Sequence, residues 1–418
     1  MDKRLKVLLS AYACEPNRGS EPGVGWNWVK QIARFHDVWV ITRKNNRPAI
    51  EAEISSSDNL NIHWIYYDLP RGISFWKKGI RGVHLYYYLW QLMIYQVAKK
   101  INREVAFDVV HHVTFANYWM TSFLPFLDAP FIWGPVGGGD GMPPQFFQTL
   151  NFRGKIYEHV RNMIIRIAEF DPFLRHSAHR SKIAFATTEN TAKRMERIGT
   201  RQIRLLSQVG LTKDEINQLG MVNFRDGRCV RFISIGNLIH LKGFHLSLAA
   251  FAKIVQQYPD SEYWIVGNGP EEKNLRRDAV KWGLDKNVVF CGSMTREKVW
   301  DTLRECDVLI HPSLHDSGGM VCAEAMAAGR PVICLDWGGP GLQVTEDTGF
   351  KIPVSKPNVV VEEIEAIMSA ILEDSSILVK KGNAARKRVQ DFFSWDHKGE
   401  QLNQVYQSII CSQYKLNS

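Results

Sequence analysis

The stretch His311-Pro312-Ser313-Leu314-His315-Asp316-Ser317-Gly318-Gly319-Met320-Val321-Cys322-Ala323-Glu324-Ala325-Met326-Ala327-Ala328-Gly329 decides how this chain is built. An apolar run, 308–311, stops at His311-Pro312 and gives way to a polar loop. The pair Gly318-Gly319 then starts a helical pattern that Gly329 stops as a C-terminal glycine does. Beyond it Pro331-Val332-Ile333 opens the next apolar run. Strand, loop, helix and strand in that order form a βαβ unit, the building block of a parallel sheet. The loop carries a carboxylate, Asp316, and backbone N–H groups at Ser317, Gly318, Gly319 and Met320; Glu324 lies one turn inside the helix. Carboxylates accept hydrogen bonds from sugar and ribose hydroxyls, while N–H donors and a helix dipole suit a diphosphate. Glu324 also has a plainer reading, as a first-turn carboxylate that complements the dipole.

Working outward, the same alternation fills the chain. Apolar, β-rich runs at 7–10, 38–42, 62–67, 109–113, 131–133, 183–187 and 203–206 precede a polar, aperiodic stretch at 210–228 that ends in Asp226-Gly227-Arg228. Further runs at 232–235, 263–266, 288–291, 308–311, 332–335 and 350–352 follow it. At 418 residues the chain is too long for one core. The pattern therefore predicts an α/β protein of two Rossmann-like βαβ domains, 1–210 and 211–395. A terminal helix over 396–418 is expected to pack back on the first domain through Trp395 and Tyr406. No repeat of solenoid period is present.

With 45% hydrophobic and 23% charged residues, composition argues against a disordered chain. The seven cysteines are scattered without close pairs, which excludes a cysteine-based zinc site or disulfide framework and predicts reduced thiols in a cytoplasmic protein. No apolar run nears the ~18–20 residues of a membrane-spanning helix, and the first one is too short for a signal sequence. The net charge of +9 is concentrated rather than spread. Residues 71–103 hold Arg71, Lys77, Lys78, Arg81, Lys99, Lys100 and Arg103, no acid, and many aromatics. That segment reads either as a contact with an anionic membrane surface or as a core helix, with Tyr87, Trp90, Ile94 and Val97 facing inward and lysines at its ends. No nucleic-acid partner is expected.

Two more loops in the second half follow apolar runs. Gly236-Asn237 precedes Lys242-Gly243, where an ammonium beside a helix start suits a phosphate; a solvated turn lysine is the alternative. Gly267-Asn268-Gly269-Pro270 allows close backbone approach, and an ordinary turn explains it equally.

Pro312-Ser313, Asp316, Gly319, Glu324-Ala325-Met326-Ala327, Gly329 and Pro331-Val332-Ile333 together resemble the motif of retaining glycosyltransferase family four, the group-one glycosyltransferases. The resemblance implies the GT-B fold, two Rossmann-like domains facing across a cleft. It implies that Asp316 contacts the donor sugar's hydroxyls, that Glu324 holds the ribose, and that Gly236, Asn237, Lys242, Gly267 and Gly269 belong to the donor site. Two departures stand out. The family's first acid is a glutamate where this chain has the shorter Asp316. Its Gly-Arg-x4-Lys-Gly reads here Gly236-Asn237-x4-Lys242-Gly243, so one cation is missing.

In the first half the resemblance implies a glycine-rich loop, carried by Gly19, Gly23 and Gly25, that approaches the donor phosphate; a surface turn is the other reading. Asp108-Val109-Val110-His111-His112 resembles the family's strand end, where a histidine faces the reacting centre. Either His111 or His112 fills that place, or the histidine is a satisfied core residue. Gly137, Gly138 and Gly139 are placed on the acceptor side, because three successive glycines call for a close backbone or ligand approach. The expected activity is transfer of a sugar, with retention, from a UDP- or GDP-linked donor to a hydroxyl of a glycan or lipid-linked acceptor. No cofactor or metal is expected, and the site is cytoplasmic or on the inner face of a membrane. A sugar-nucleotide epimerase and a catalytically silent glycan- or membrane-binding protein are the competing readings.

Overall fold

The structure, a computed structural model, describes residues 3–54, 61–77, 79, 81–150, 152–220 and 230–417. Lys78, Cys229 and Asp226-Gly227-Arg228 at the expected boundary lie outside them. The first seven strands are β1 (Lys6–Ala11), β2 (Asp37–Thr42), β3 (Ile62–Tyr66), β4 (Val109–Thr114), β5 (Phe131–Val136), β6 (Ser181–Ala186) and β7 (Ile203–Leu205). They form one sheet in the order β3-β2-β1-β4-β5-β6-β7. The remaining six, β8 (Arg231–Ile235), β9 (Glu262–Val266), β10 (Val288–Gly292), β11 (Val308–His311), β12 (Val332–Leu335) and β13 (Gly349–Ile352), form a second in the order β10-β9-β8-β11-β12-β13. Every pairing is parallel.

Each of these strands falls on a run read from the sequence, for a physical reason. A parallel sheet is covered on both faces by its crossover helices, so its strands are apolar on both sides. In β12, Val332 and Cys334 enter one buried cluster while Ile333 and Leu335 enter another. In β1, Val7 and Leu9 lie on one face and Leu8 on the opposite one. Two clusters per sheet sandwich each domain.

The chain divides into two compact units. One comprises Met1–Gly139, His159–Gln208 and Trp395–Ser418; the other comprises Asp140–Glu158 and Val209–Ser394. Residues 140–158 thus count with the second unit, where the sequence reading placed them in the first. Phe146 explains why: it is fully buried in the core of the second sheet. The terminal helix Trp395–Asn417 lies against the helix Ser20–Ala33 of the first unit. Trp395 meets Trp28 edge to face at 5.2 Å, both rings fully buried. Truncating such an aromatic costs about 3–5 kcal/mol, so this seam firmly attaches the C-terminus.

Candidate active site

A sheet whose strand order reverses leaves a crevice at the carboxyl ends of the two strands flanking the reversal. In the second sheet those strands are β8 and β11. Gly236 follows β8 directly, and His311 ends β11.

The two loops are locked together. After β8 the turn His240–Lys242 closes on Gly243 at φ 71°, and a Cβ there would stand 2.1 Å from the carbonyl oxygen of Pro312. Only glycine accepts both that conformation and that approach. Leu314 N–H donates to the Leu241 carbonyl at 2.8 Å and completes the clasp. Lys242 therefore projects from an anchored turn and is not a freely solvated lysine.

Its Nζ donates to Asp316 Oδ2 at 2.6 Å. His311 Nε2 donates to the same oxygen at 3.0 Å. On the other side Gly318 N–H and Gly319 N–H donate to Oδ1 at 3.1 and 2.8 Å. An ionised carboxylate offers about four acceptor positions, and all are taken. Burial by itself would raise the Asp316 pKa, but the His311 hydrogen bond and the Lys242 charge hold it well below the usual carboxylate range. Burial lowers the His311 pKa against the opposing pull of Asp316. With Nε2 committed to Asp316, His311 Nδ1 has no hydrogen-bond partner among the described residues.

The loop is also held from behind. Gly339 N–H donates to the Asp316 carbonyl at 2.8 Å, and the Gln343 amide donates to the Gly318 carbonyl. Ser317 and Met320 lie half-buried on either side of the Gly318-Gly319 turn, and Met320 opens the helix Met320–Ala327. Further along that helix, Glu324 Oε1 accepts from Arg296 Nε at 2.9 Å and from Trp300 Nε1 at 3.2 Å. Arg296 also reaches Glu215 at 2.5 Å. Burial raises the Glu324 pKa, and the Arg296 charge opposes it.

Of the remaining donor-side candidates, Gly236, Gly267 and Gly269 knit the loops after β8 and β9. A Cβ on Gly267 would lie 1.9 Å from the Gly236 carbonyl oxygen, and Leu238 N–H donates to the Asn268 carbonyl at 2.8 Å. Asn237 stands exposed at the rim of this pair.

The first unit arranges its candidates differently. His111 and His112 end up in β4, each 1% exposed. His111 Nε2 donates to the Gly134 carbonyl at 2.6 Å, and Tyr406 hydroxyl meets Nδ1 at 2.5 Å. His112 pairs with Tyr87 hydroxyl at 2.8 Å and Gln91 at 3.4 Å. Burial pushes both imidazoles down to about 3, so both are neutral. This is the arrangement of satisfied core histidines. The glycine run is likewise explained by its own surroundings: a Cβ on Gly138 would meet the Asn117 side chain and one on Gly139 would meet Thr191, while Gly137 N–H bonds the Ala116 carbonyl. Gly19 is exposed just before the helix Ser20–Ala33, and Gly23 and Gly25 sit under the carbonyls of Arg18 and Ala13.

The helix Val83–Val105 turns Tyr87, Trp90 and Ile94 into the first core with no exposure, and Val97 packs against the same cluster. Of the two readings of residues 71–103, the core-helix one describes these four side chains. At the carboxyl ends of β2 and β3, Arg43, Lys77, Asp68, Tyr67 and Tyr86 line a cavity of about 740 Å³ that the sequence reading did not single out. Sequence reasoning also missed His311, although it ends a central strand in the deciding stretch. It missed Arg296 as well, whose role depends on two carboxylates distant in the chain.

The profile described as "Glycosyl transferases group 1" matches residues 223–388. A GDP-mannose-dependent monoacylated alpha-(1-6)-phosphatidylinositol monomannoside mannosyltransferase of Corynebacterium glutamicum is 30% identical over 178 residues, 41% of this chain and 45% of that protein. The phosphatidylinositol N-acetylglucosaminyltransferase gpi3 subunit of Schizosaccharomyces pombe is 28% identical over 185 residues, 44% of this chain and 39% of its own. These matches span under half of the curated relatives' length. Among solved structures, sucrose-phosphate synthase of Thermosynechococcus elongatus superposes with a TM-score of 0.62 at 19% identity, covering 98% of this chain and 100% of that one. The Anabaena HepE protein solved with UDP gives 0.62 at 17%, covering 97% and 100%. At such identities the likeness is one of fold.

Proposed function

We propose that the protein moves a sugar from a UDP- or GDP-linked donor to a hydroxyl acceptor with retention at the anomeric carbon, as the match of residues 223–388 to the group 1 glycosyl transferases suggests. The observation that carries this reading is the Lys242–Asp316–His311 cluster at the β8/β11 crevice. Breaking the glycosidic bond puts negative charge on the leaving diphosphate, and a fixed ammonium in a half-buried setting stabilises that charge without reorganising. Lys242 takes this role. Because its four acceptor positions are filled, Asp316 acts as the hub that aims Lys242, His311 and the Gly318-Gly319 turn, and the sugar's hydroxyls are left to neighbouring groups. Glu324 receives the ribose hydroxyls, with Arg296 and Trp300 fixing its orientation.

Charge neutralisation by Lys242 and the helix start is consistent with a reaction that needs no metal. The acceptor hydroxyl belongs to a glycan or lipid-linked molecule. The reaction takes place on the cytoplasmic side. The named relatives act on phosphatidylinositol-based acceptors, which fits a lipid-linked acceptor here.

A melting-temperature screen with UDP- and GDP-sugars identifies the donor, because a ligand of the native state raises the transition. With that donor, the anomeric configuration of the product by NMR reads the stereochemistry. Inversion, or release of an isomerised sugar without any acceptor, would refute the proposal.

A further inference from the structure

Arg43 and Asp68 are 25 positions apart and meet because β2 pairs with β3 through Thr42 and Tyr66, so the segments that follow the two strands start side by side. Arg43 Nε donates to Asp68 Oδ1 at 3.1 Å, and the Tyr86 hydroxyl donates to the same oxygen at 2.8 Å. The guanidinium also lies against two rings, 5.1 Å from the Tyr12 centroid and 5.3 Å from that of Tyr86. The backbone around it is anchored. The Asn46 amide donates to the Tyr12 carbonyl at 3.1 Å and to the Thr42 hydroxyl at 2.8 Å. Tyr67 N–H donates to the Thr42 carbonyl at 2.8 Å, and the Trp90 indole to the Tyr67 carbonyl at 2.9 Å. An arginine held in this way has given up its rotamer freedom before any ligand arrives, which favours binding.

The cavity that these groups line, about 740 Å³, has the size of a small-molecule site. Its charges do not balance. Arg43, Lys44 and Lys77 line it with a single acid, Asp68, whose Oδ1 is already shared by Arg43 and Tyr86. Lys77 Nζ sits 4.9 Å from the centroid of the Tyr86 ring that Arg43 also touches, and its hydrogen bond runs to the Gly79 carbonyl at 3.5 Å, not to a carboxylate. Burial and the Arg43 charge both lower the Lys77 pKa, and Asp68 offsets only part of that. A structural ion pair needs one cation against Asp68. Two more at the same cavity add like-charge repulsion, which a bound anion would relieve. Tyr67 and Tyr86 supply aromatic walls beside the cations. We infer that this cavity of the first unit binds a small molecule through a phosphate or carboxylate group, which Arg43 and Lys77 receive, with Lys44 at the exposed rim.

The test is titration of the full chain with glucose-6-phosphate, glucuronate and, as the neutral control, glucose, followed by calorimetry and by the shift in melting temperature. The two acids should bind and raise the transition, glucose should not, and the response should shrink as sodium chloride is added. Lys77→Gln with Lys44→Gln should weaken binding by roughly tenfold or more, with little change in the melting temperature of the unliganded protein. Lys77→Met, which keeps the apolar stem, serves should that pair fail to fold. Lys242→Ala should leave this binding intact, which separates the cavity from the β8/β11 crevice. A response to only one of the two acids supports the inference and names the group. No response to either acid, an equal response to glucose, or full binding by the Lys77 variants overturns it. So does binding that Lys242→Ala abolishes and the Lys77 variants keep, which would assign the anion to the crevice. None of these readouts depends on sugar transfer, so each stands apart from the proposed reaction.

Discussion

The two sheets place a histidine on matching strands: β4 and β11 each lie next to the first strand of their sheet, across the point where strand order reverses. His111 in β4 satisfies both ring nitrogens within its own unit, on the Gly134 carbonyl and Tyr406. His311 in β11 spends one nitrogen on Asp316, beside Lys242, and its other nitrogen has no partner among the described residues. Topology alone nominates both. The hydrogen-bond account separates them: a histidine with both nitrogens occupied by its own fold holds a strand in place, whereas one tied to a charged cluster tunes that cluster.

The largest effect should come from the charge at the His311 cluster. Lys242→Ala is expected to cut kcat/KM by about a thousandfold, roughly 4 kcal/mol, in a protein that still folds but melts lower, because the buried Asp316 loses a charge partner. Near-normal steady-state turnover would remove the cluster from the mechanism. His111→Ala should do the reverse. Losing a buried, doubly bonded ring costs about 3 kcal/mol of stability, read as a lower midpoint in urea, with turnover of the folded fraction retained. His311→Ala should lower kcat/KM about 10- to 100-fold and, because the ring is as buried as that of His111, also lower stability, and His311→Gln, which keeps a donor towards Asp316, should recover part of the kinetic loss. The kinetic loss is what separates the two: a stability loss without a kinetic one would make His311 the equal of His111.

The pH response sharpens the contrast. His111 and His112 titrate near 3 when folded but near 6.5 when unfolded, so between those values the unfolded chain binds more protons. Their contribution to stability is therefore present above the unfolded value and is lost as pH falls towards the folded one, by at most about 1.4 kcal/mol per pH unit for each histidine. Melting curves from pH 7 to 4 should show this fall, shallower in His111→Ala; an unchanged slope would mean that His111 is not buried neutral. The smallest effect expected is Glu324→Gln, a several-fold loss of affinity for the free nucleoside diphosphate by calorimetry. Unchanged affinity would take the ribose away from Glu324.

The inner strands were legible because residues buried on both faces of a parallel sheet must be apolar in unbroken runs, and that is a local property, whereas the edge strands β3 and β7 are half-buried or exposed and were legible from their β-branched and aromatic or apolar residues. The cluster at the β8/β11 crevice was half legible. Lys242, Asp316 and the Gly318-Gly319 turn stand in short motifs, and their spacing alone put them at strand ends. The pairing of Lys242 with Asp316 spans 74 positions and exists only because β8 and β11 are neighbours.

By itself, then, the sequence determined two alternating α/β halves and the loops that carry chemistry, because periodicity and turn chemistry act over a few residues. Only tertiary structure decided which polar groups meet and which apolar faces are covered. Tyr406 reaches His111 across 295 positions, Arg296 joins Glu215 to Glu324, and the Val83–Val105 stripe faces the core while that of Phe152–Ala168 faces out. An apolar stripe has the same sequence whichever way it points, and its direction depends on what the rest of the fold sets against it.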